Sequence, residues 1–206
     1  MSRAGAEAPE LWAEELELTR CASGYVCGVD EAGRGPLAGD VYAAAVILPR
    51  GLVIDGLNDS KRLPAKKREQ LFDEITASAV SWCVAAATVR EIEEMNILNA
   101  TYLAMNRAIS GLSVPPALAL IDGNRSTGIA TPNICVVKGD SRCASIAAAS
   151  ILAKVSRDRY MAALAEEYPG YGFERHMGYG TKQHYAAIRR LGPSPAHRMS
   201  FLRKVH

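Results

Sequence analysis

Four carboxylate residues stand at the ends of apolar, strand-forming segments. Asp30 and Glu31 follow one such segment, Asp122 ends a second, and Asp140 closes a third. A carboxylate at the end of a buried strand is costly unless its charge is compensated, and a divalent cation compensates it well. If the three strands are neighbours in one sheet, the four side chains converge. The sequence then predicts a metal site at that edge.

The types of ligand in this set limit both the metal and the reaction. Oxygen donors alone favour a hard ion, so the candidates are magnesium and manganese rather than zinc. Two such ions held by carboxylates suit phosphodiester hydrolysis, in which one activates water and the other stabilises the leaving 3′-oxygen. The sequence contains no P-loop, no G-x-S-x-G serine elbow and no C-x-x-C or H-E-x-x-H zinc motif, which argues against those classes.

Each acid also has an ordinary structural interpretation. Asp30 and Glu31 could end a strand that runs into a polar turn, and Asp122 begins the common turn signal Asp-Gly-Asn. Asp140 precedes a predicted helix and could be its N-cap. On single residues these alternatives stay open, but the same layout recurs after each of the three segments, and this recurrence favours the metal site.

Several glycines and cations accompany the acids. A Gly-Arg-Gly-Pro turn at 33–36 follows the first two acids directly, and its glycines permit close approach of the backbone by a ligand. Lys61 and Arg62 precede a predicted helix, where they are either a solvated helix start or cations beside a phosphate backbone. Lys154 and Arg157 are expected to project from one side of a later helix.

Composition indicates a globular protein of one domain. The chain has 206 residues, of which 49% are hydrophobic and 22% charged. The first 25 residues contain no long apolar run, and no segment is long enough to span a bilayer. We therefore expect a cytoplasmic protein without a membrane partner. Its five cysteines form no C-x-x-C pair and are expected to be reduced and mostly buried.

Charge is divided unevenly along the chain. Residues 1–137 contain 12 Lys and Arg against 17 Asp and Glu, net −5, whereas residues 138–206 contain 12 against 5, net +7. A basic C-terminal third is expected of a protein that holds a polyanion, although a solvated basic surface has the same composition.

The elements that position these residues follow from hydrophobic patterning. Strands are predicted to begin at Val26, Asp40, Val80, Ala117 and Asn133, the first two antiparallel because their link is short. Helices are predicted over 65–76, 99–110, 142–160 and 183–191, after an acidic helix or arm in residues 1–20. The helix over 142–160 has an alanine-rich face that suits close packing on a sheet.

Residues 168–181 are rich in glycine and aromatics and cannot form one regular element. Aromatic side chains interleaved with Arg and His suit stacking on the sugars or bases of a nucleic acid. A glycine-rich loop with packed aromatics is an equally good alternative.

Six ordered blocks between residues 27 and 203 resemble bacterial ribonuclease HII. They are 28–37, 57–61, 120–124, 136–141, 145–155 and 176–181. The resemblance implies an α/β protein with the ribonuclease H-like fold, a five-stranded mixed sheet flanked by helices and followed by a helical C-terminal segment. It implies that residues 168–206 contact the substrate. With the N-terminal arm or short helix expected in 1–20, we expect a single catalytic domain over 1–206.

The same resemblance implies an activity. Asp30, Glu31, Asp122 and Asp140 would be the catalytic ligands of two divalent ions, Mn²⁺ or Mg²⁺. The enzyme, a monomer, would bind RNA/DNA hybrids and DNA duplexes with an embedded ribonucleotide. It would hydrolyse the RNA strand of the hybrid and nick 5′ of the single ribonucleotide, leaving 3′-hydroxyl and 5′-phosphate ends. Its role would be the removal of ribonucleotides from DNA.

The resemblance also implies contacts to the sugar. Gly33, Arg34 and Gly35 would sense the 2′-hydroxyl beside the scissile phosphate, and Tyr179 would pack on the neighbouring sugar. Related sequences often have Lys where Met177 stands, so one phosphate contact beside Tyr179 is absent here.

The remaining implied substrate contacts are polar and mostly cationic. Phosphate contacts position a duplex without reading its sequence. The residues concerned are Lys61, Asn124, Lys138 and Lys154.

Three other functions compete with this interpretation. Ribonuclease HIII, the sister family, usually has Gly-Lys-Gly around position 34 and an extra N-terminal domain, whereas about 25 residues precede the first predicted strand here. A DNA nuclease of the same fold would need the same four acids but would have no 2′-hydroxyl to test. A non-catalytic duplex-binding protein would lack an acid, and none is missing.

Overall fold

The computed structural model describes residues 7–57, 60 and 63–202, and these contain one five-stranded sheet. Its order is β3-β2-β1-β4-β5, with β1 antiparallel to β2, β2 antiparallel to β3, and β4 parallel to both β1 and β5. The strands are β1 (Val26–Ala32), β2 (Val41–Ile47), β3 (Ser81–Ala87), β4 (Leu118–Asp122) and β5 (Asn133–Val136). The predicted mixed sheet and the antiparallel first pair are confirmed.

Helices surround this sheet. They are α1 (Glu7–Leu18), α2 (Ala65–Ser78), α3 (Val89–Ser110), α4 (Ala144–Glu167), α5 (Phe173–His176) and α6 (Lys182–Leu191), with 3-10 turns at Gly139–Ser141 and Met199–Phe201. α3 begins at Val89, where Thr88 and Glu91 form a capping box, and it contains the helix predicted over 99–110. Its backbone breaks at Asn96, where φ is 69°, so the predicted helix is its second half.

The sheet is covered on both faces. α4, with α1 and α2, packs against Ala44 and Val46 of β2, while α3 packs against Ala43 and Ala45 of the same strand. Alternate residues of one strand therefore enter two separate cores. The predicted close packing of the alanine-rich helix is confirmed at Gly28, where a Cβ would lie only 2.1 Å from the backbone carbonyl carbon of Ser145.

The C-terminal segment forms a smaller core around α5 and α6. Phe173 is fully buried, and Tyr171 stacks on it with ring centroids 5.4 Å apart. For these two aromatics the packed-loop interpretation is correct, because they fill space between α4 and the end of the chain. Tyr179, by contrast, is 48% exposed.

Two further expectations concern the cysteines and the membrane. All five cysteines are free thiols, of which Cys27 and Cys143 are buried and Cys21 is exposed. Within the described ranges, no helix has the length and apolar character needed to cross a bilayer.

Candidate active site

Sheet topology brings the strands that carry the acids together. β1 lies between β2 and β4, and its parallel register with β4 pairs Val29 with Ile121. Asp30 and Asp122 are the next residues on these two neighbouring strands. β5 lies beside β4 in the same direction, and Asp140 occupies the 3-10 turn that follows it. The predicted adjacency of the three acid-bearing segments is therefore confirmed.

Asp30 is almost completely enclosed, with 3% of its surface exposed. The backbone N–H of Glu31 donates to its Oδ1 at 2.7 Å. Burial raises the pKa of Asp30 well above its ordinary value, and the charges of Glu31 and Asp122 raise it further, while hydrogen bonds from Ser150 and Glu31 lower it. Glu31 and Asp122 are thus both close enough to Asp30 for their charges to act on it.

Asp122 is hydrogen-bonded to the turn that contains Asp140. The backbone N–H of Gly139 donates to Asp122 Oδ1 at 2.7 Å, and Asp140 itself is buried. Lys138, which precedes the turn, has left-handed backbone geometry with φ 57° and is exposed at the surface. The N-cap of α4 is Cys143, so the alternative in which Asp140 caps that helix is wrong.

The donor set fits a hard divalent cation in its chemistry. In the part of the chain that the structure describes, no group of three or more His, Cys, Asp or Glu side chains has the arrangement of an ion site. The repulsion that raises the pKa of Asp30, however, is relieved by positive charge between the carboxylates. Because all the donors are carboxylate oxygens, the ions that suit them are Mg²⁺ and Mn²⁺.

The glycine-arginine turn lies beside these acids. Arg34 Nη1 is 3.3 Å from Glu31 Oε1, and both residues line the same cleft as Asp122. Gly33 has φ 98°, and a Cβ there would lie 2.0 Å from Arg157 Nε, so only glycine fits. A Cβ on Gly35 would lie 3.7 Å from the Tyr179 ring. The two predicted sugar contacts, far apart in sequence, are therefore neighbours.

Two buried arginines bind backbone carbonyls in this turn and directly after it, and the sequence did not predict the burial of either. Arg198 is fully buried and donates to the carbonyls of Gly33, Arg34, Pro36 and Gly39 at 2.6 to 3.0 Å. Burial, and then the nearby charge of Arg157, lowers the pKa of Arg198 to about 9.

Arg157 of α4 likewise binds backbone carbonyls, in residues 38–40 and at residue 177. It is 1% exposed and donates to the carbonyls of Ala38, Asp40 and Met177. The sequence predicts that Arg157 projects from the same side of α4 as Lys154, but not that it is buried; the buried carbonyls of the loop need donors, and a guanidinium supplies five. Spacing along the chain gave no signal of either arginine's burial.

Of the remaining predicted contacts that fall on described residues, the structure links only Asn124 to the acids. Lys154 Nζ pairs with Asp158 Oδ1 at 2.5 Å. Asn124 is exposed and borders a cleft of about 280 Å³ that Glu31 and Asp122 also line. Lys61 lies outside the described residues.

Comparison with known proteins agrees with this geometry. The profile of the family Ribonuclease HII matches residues 27–204. The Ribonuclease HII of Burkholderia thailandensis is 60% identical over 176 residues, which cover 85% of this chain and 82% of the relative.

Solved structures show the same fold. The ribonuclease H2 of Pyrococcus horikoshii OT3 has a TM-score of 0.71 and 27% identity, over 88% of this chain and 96% of that one. Bst-RNase HIII in complex with Mn²⁺ has a TM-score of 0.61 and 20% identity, over 93% of this chain and 67% of that one. The profile match spans all four acids, the glycine-arginine turn and Tyr179, and the chain belongs to the ribonuclease HII family.

Proposed function

We propose that this protein cleaves the RNA strand of RNA/DNA hybrids and nicks duplex DNA 5′ of a single embedded ribonucleotide. The ends left would be a 3′-hydroxyl and a 5′-phosphate. Family membership supports the coarser statement, that the protein is a nuclease acting on the RNA of hybrids. The statement about a single ribonucleotide rests on one observation: the Tyr179 ring lies next to Gly35, and Arg34 of the same turn pairs with Glu31.

The four acids are proposed to hold two divalent cations. Asp30, Glu31, Asp122 and Asp140 supply oxygen donors only, and burial together with the charges of Glu31 and Asp122 disfavours the charged form of Asp30 unless positive charge lies beside it. The Mn²⁺ in the solved Bst-RNase HIII supports manganese or magnesium as the ion. When bound, two such ions would supply Lewis acidity on both sides of the scissile phosphate.

The chain's own residues would select the ribonucleotide. A 2′-hydroxyl is both donor and acceptor, and DNA lacks it, so backbone groups bared by glycine can test for it. Gly33 is buried against Arg157, whereas Gly35 and Arg34, which is about half exposed, leave their part of the turn backbone accessible to a ligand. The Tyr179 ring beside the turn would pack on the next sugar and fix its position.

Phosphate contacts would place the duplex without reading its sequence. Lys138 is exposed next to the Asp140 turn, and Asn124 borders the cleft at Asp122. Lys154 is about a quarter exposed and is held by Asp158, so a phosphate would have to share it. Lys61 completes the proposed set.

A single cleavage assay tests the proposal. Labelled DNA duplexes that carry one ribonucleotide, and matched all-DNA duplexes, are incubated with protein and Mn²⁺ or Mg²⁺, and the cut is mapped to the nucleotide. We expect one nick 5′ of the ribonucleotide, absent without metal and absent on all-DNA. Cutting of both duplexes would indicate a DNA nuclease of the same fold. Binding without cutting would indicate a non-catalytic protein.

A further inference from the structure

Helix α1 lies before the segment that matches the ribonuclease HII family, which starts at residue 27. It is nevertheless docked on the domain. Leu11 and Trp12 are buried in the core between the sheet and α4, and Trp12 Nε1 donates to the carbonyl of Leu52 at 2.6 Å. Helix α1 therefore has a fixed position against the start of α4.

The start of α4 lacks a cap of its own. Its N-cap residue, Cys143, makes no side-chain capping bond. Glu15 of α1 takes that role, because its Oε2 accepts a hydrogen bond from the backbone N–H of Ser145 at 2.8 Å. Glu15 is 4% exposed, and a carboxylate is favourable at the positive end of a 24-residue helix.

A second acid of α1 holds the residue before that cap. Glu14 pairs with Arg142, whose Nε lies 2.9 Å from Glu14 Oε2. Arg142 Nη1 also donates to the carbonyl of Val137 at 2.9 Å. Helix α1 thus contacts Ser145, just after the Asp140 turn, through Glu15. Through Glu14 and Arg142 it is linked to Val137, just before that turn.

The turn between these two points connects directly to the acids. The backbone N–H of Cys143 donates to the carbonyl of Gly139 at 2.8 Å, and the N–H of Gly139 donates to Asp122 Oδ1 at 2.7 Å. Asp140 lies between these bonded groups. A shift of the first turn of α4 therefore moves both Asp140 and the partner of Asp122.

We propose that Glu15 is a positioning residue for the metal ligands: by capping α4 from α1, it fixes the Asp140 turn and raises the affinity of the site for divalent cations. This inference rests on the proposed function, in which Asp140 and Asp122 are ligands. Groups that orient metal ligands typically contribute about 10- to 100-fold in affinity. Glu15 acts one step further away, so the lower end of that range applies.

The test measures Mn²⁺ binding in the absence of nucleic acid, by the electron paramagnetic resonance signal of free Mn²⁺, on the full-length chain. We expect Glu15→Ala to weaken Mn²⁺ binding about tenfold. Glu15→Gln keeps an acceptor for the Ser145 N–H and should restore most of the affinity. Glu17→Ala is the matched control, since Glu17 is on the same helix with its side chain 71% exposed, and it should bind as the wild type does.

A variant elsewhere separates positioning from general loss of stability. Ile75→Val removes one methylene from a fully buried residue of α2, and its Mn²⁺ affinity should stay unchanged. If Glu15→Ala fails to fold, Glu14→Ala decides, because it removes only the Arg142 pair and should still weaken Mn²⁺ binding.

The outcomes for the two proposals differ. Unchanged Mn²⁺ affinity in Glu15→Ala, or in Glu14→Ala where the first variant does not fold, overturns the positioning role and leaves the proposed function intact. An equal loss in Ile75→Val also overturns it. A wild-type protein that binds Mn²⁺ but cuts no ribonucleotide-containing duplex overturns the proposed cleavage, while the Glu15 comparison can still be made. A wild-type protein that binds no Mn²⁺ overturns both.

Discussion

Replacing Arg198 by lysine tests what holds the glycine-arginine turn in place. The guanidinium is fully buried and makes five hydrogen bonds, to the carbonyls of Gly33, Arg34, Pro36 and Gly39. Lysine keeps the positive charge but replaces a planar fork of five N–H donors by one ammonium with three.

The geometry sets the size of the effect. One ammonium centre cannot reach four carbonyls that the arginine contacts through three different nitrogens, so at least two carbonyls lose their partner. Each buried group left without a hydrogen bond costs about 1–3 kcal/mol. We therefore expect Arg198→Lys to lower the free energy of unfolding by about 2–6 kcal/mol, a large share of the ~5–15 kcal/mol of a typical domain.

Urea unfolding of the wild type and the variant measures this loss, with Arg189→Lys on the exposed face of α6 as the control. Cleavage of a DNA duplex with one ribonucleotide should also fall more than duplex binding, because the turn that Arg198 holds carries the proposed 2′-hydroxyl contacts. A loss of less than about 1 kcal/mol, below the cost of one unsatisfied group, would refute the reasoning. So would an equal loss in the control.

Three further predictions concern the acids, the sugar contact and pH. Asp122→Asn should abolish cleavage and leave duplex binding in a gel-shift assay within about twofold, and near-normal cleavage would remove Asp122 from the site. Tyr179→Ala should reduce cleavage at a single ribonucleotide more than cleavage of a hybrid, and equal losses would contradict the sugar-packing role. Burial lowers the pKa of His184 to about 4, so its contribution to stability is present above its unfolded pKa and is lost as pH falls towards 4. An NMR titration should find the imidazole neutral at pH 5, and a midpoint near its ordinary pKa would contradict this.

The sheet could be predicted because its strands are short apolar segments bounded by clear punctuation. β4 has no alternation, since both of its faces are buried, and such a segment is recognised by composition alone. The acids at the strand ends then follow from the order of the segments. The break of α3 at Asn96 is local in origin: its side-chain Oδ1 accepts hydrogen bonds from the backbone N–H groups of Leu98 and Asn99, as an N-cap does, which agrees with a helix predicted to begin at residue 99.

Helix α5 and the packed aromatic residues were harder to predict from the sequence, for a different reason. Four residues are too few to show a helical period, and Phe173 is buried because the end of the chain folds over it. The same segment exposes Tyr179. Composition alone could not divide these aromatics into packed and exposed residues, since the division depends on contacts with α4 and α6, which lie outside the segment.

The basic C-terminal third illustrates why charge counts mislead about a binding surface. Residues 138–206 carry net charge +7. Arg157 and Arg198, however, are buried and donate to backbone carbonyls. Arg142 pairs with Glu14, and Lys154 pairs with Asp158. The surface available to a polyanion is therefore smaller than the sequence indicates. Arg198 holds the backbone of the glycine-arginine turn, and Arg157 holds the carbonyls of Ala38 and Asp40 just after it. If the proposed contacts of this turn select the ribonucleotide, backbone position rather than charge sets the selection, and added salt should weaken duplex binding while leaving the choice of cleavage site unchanged.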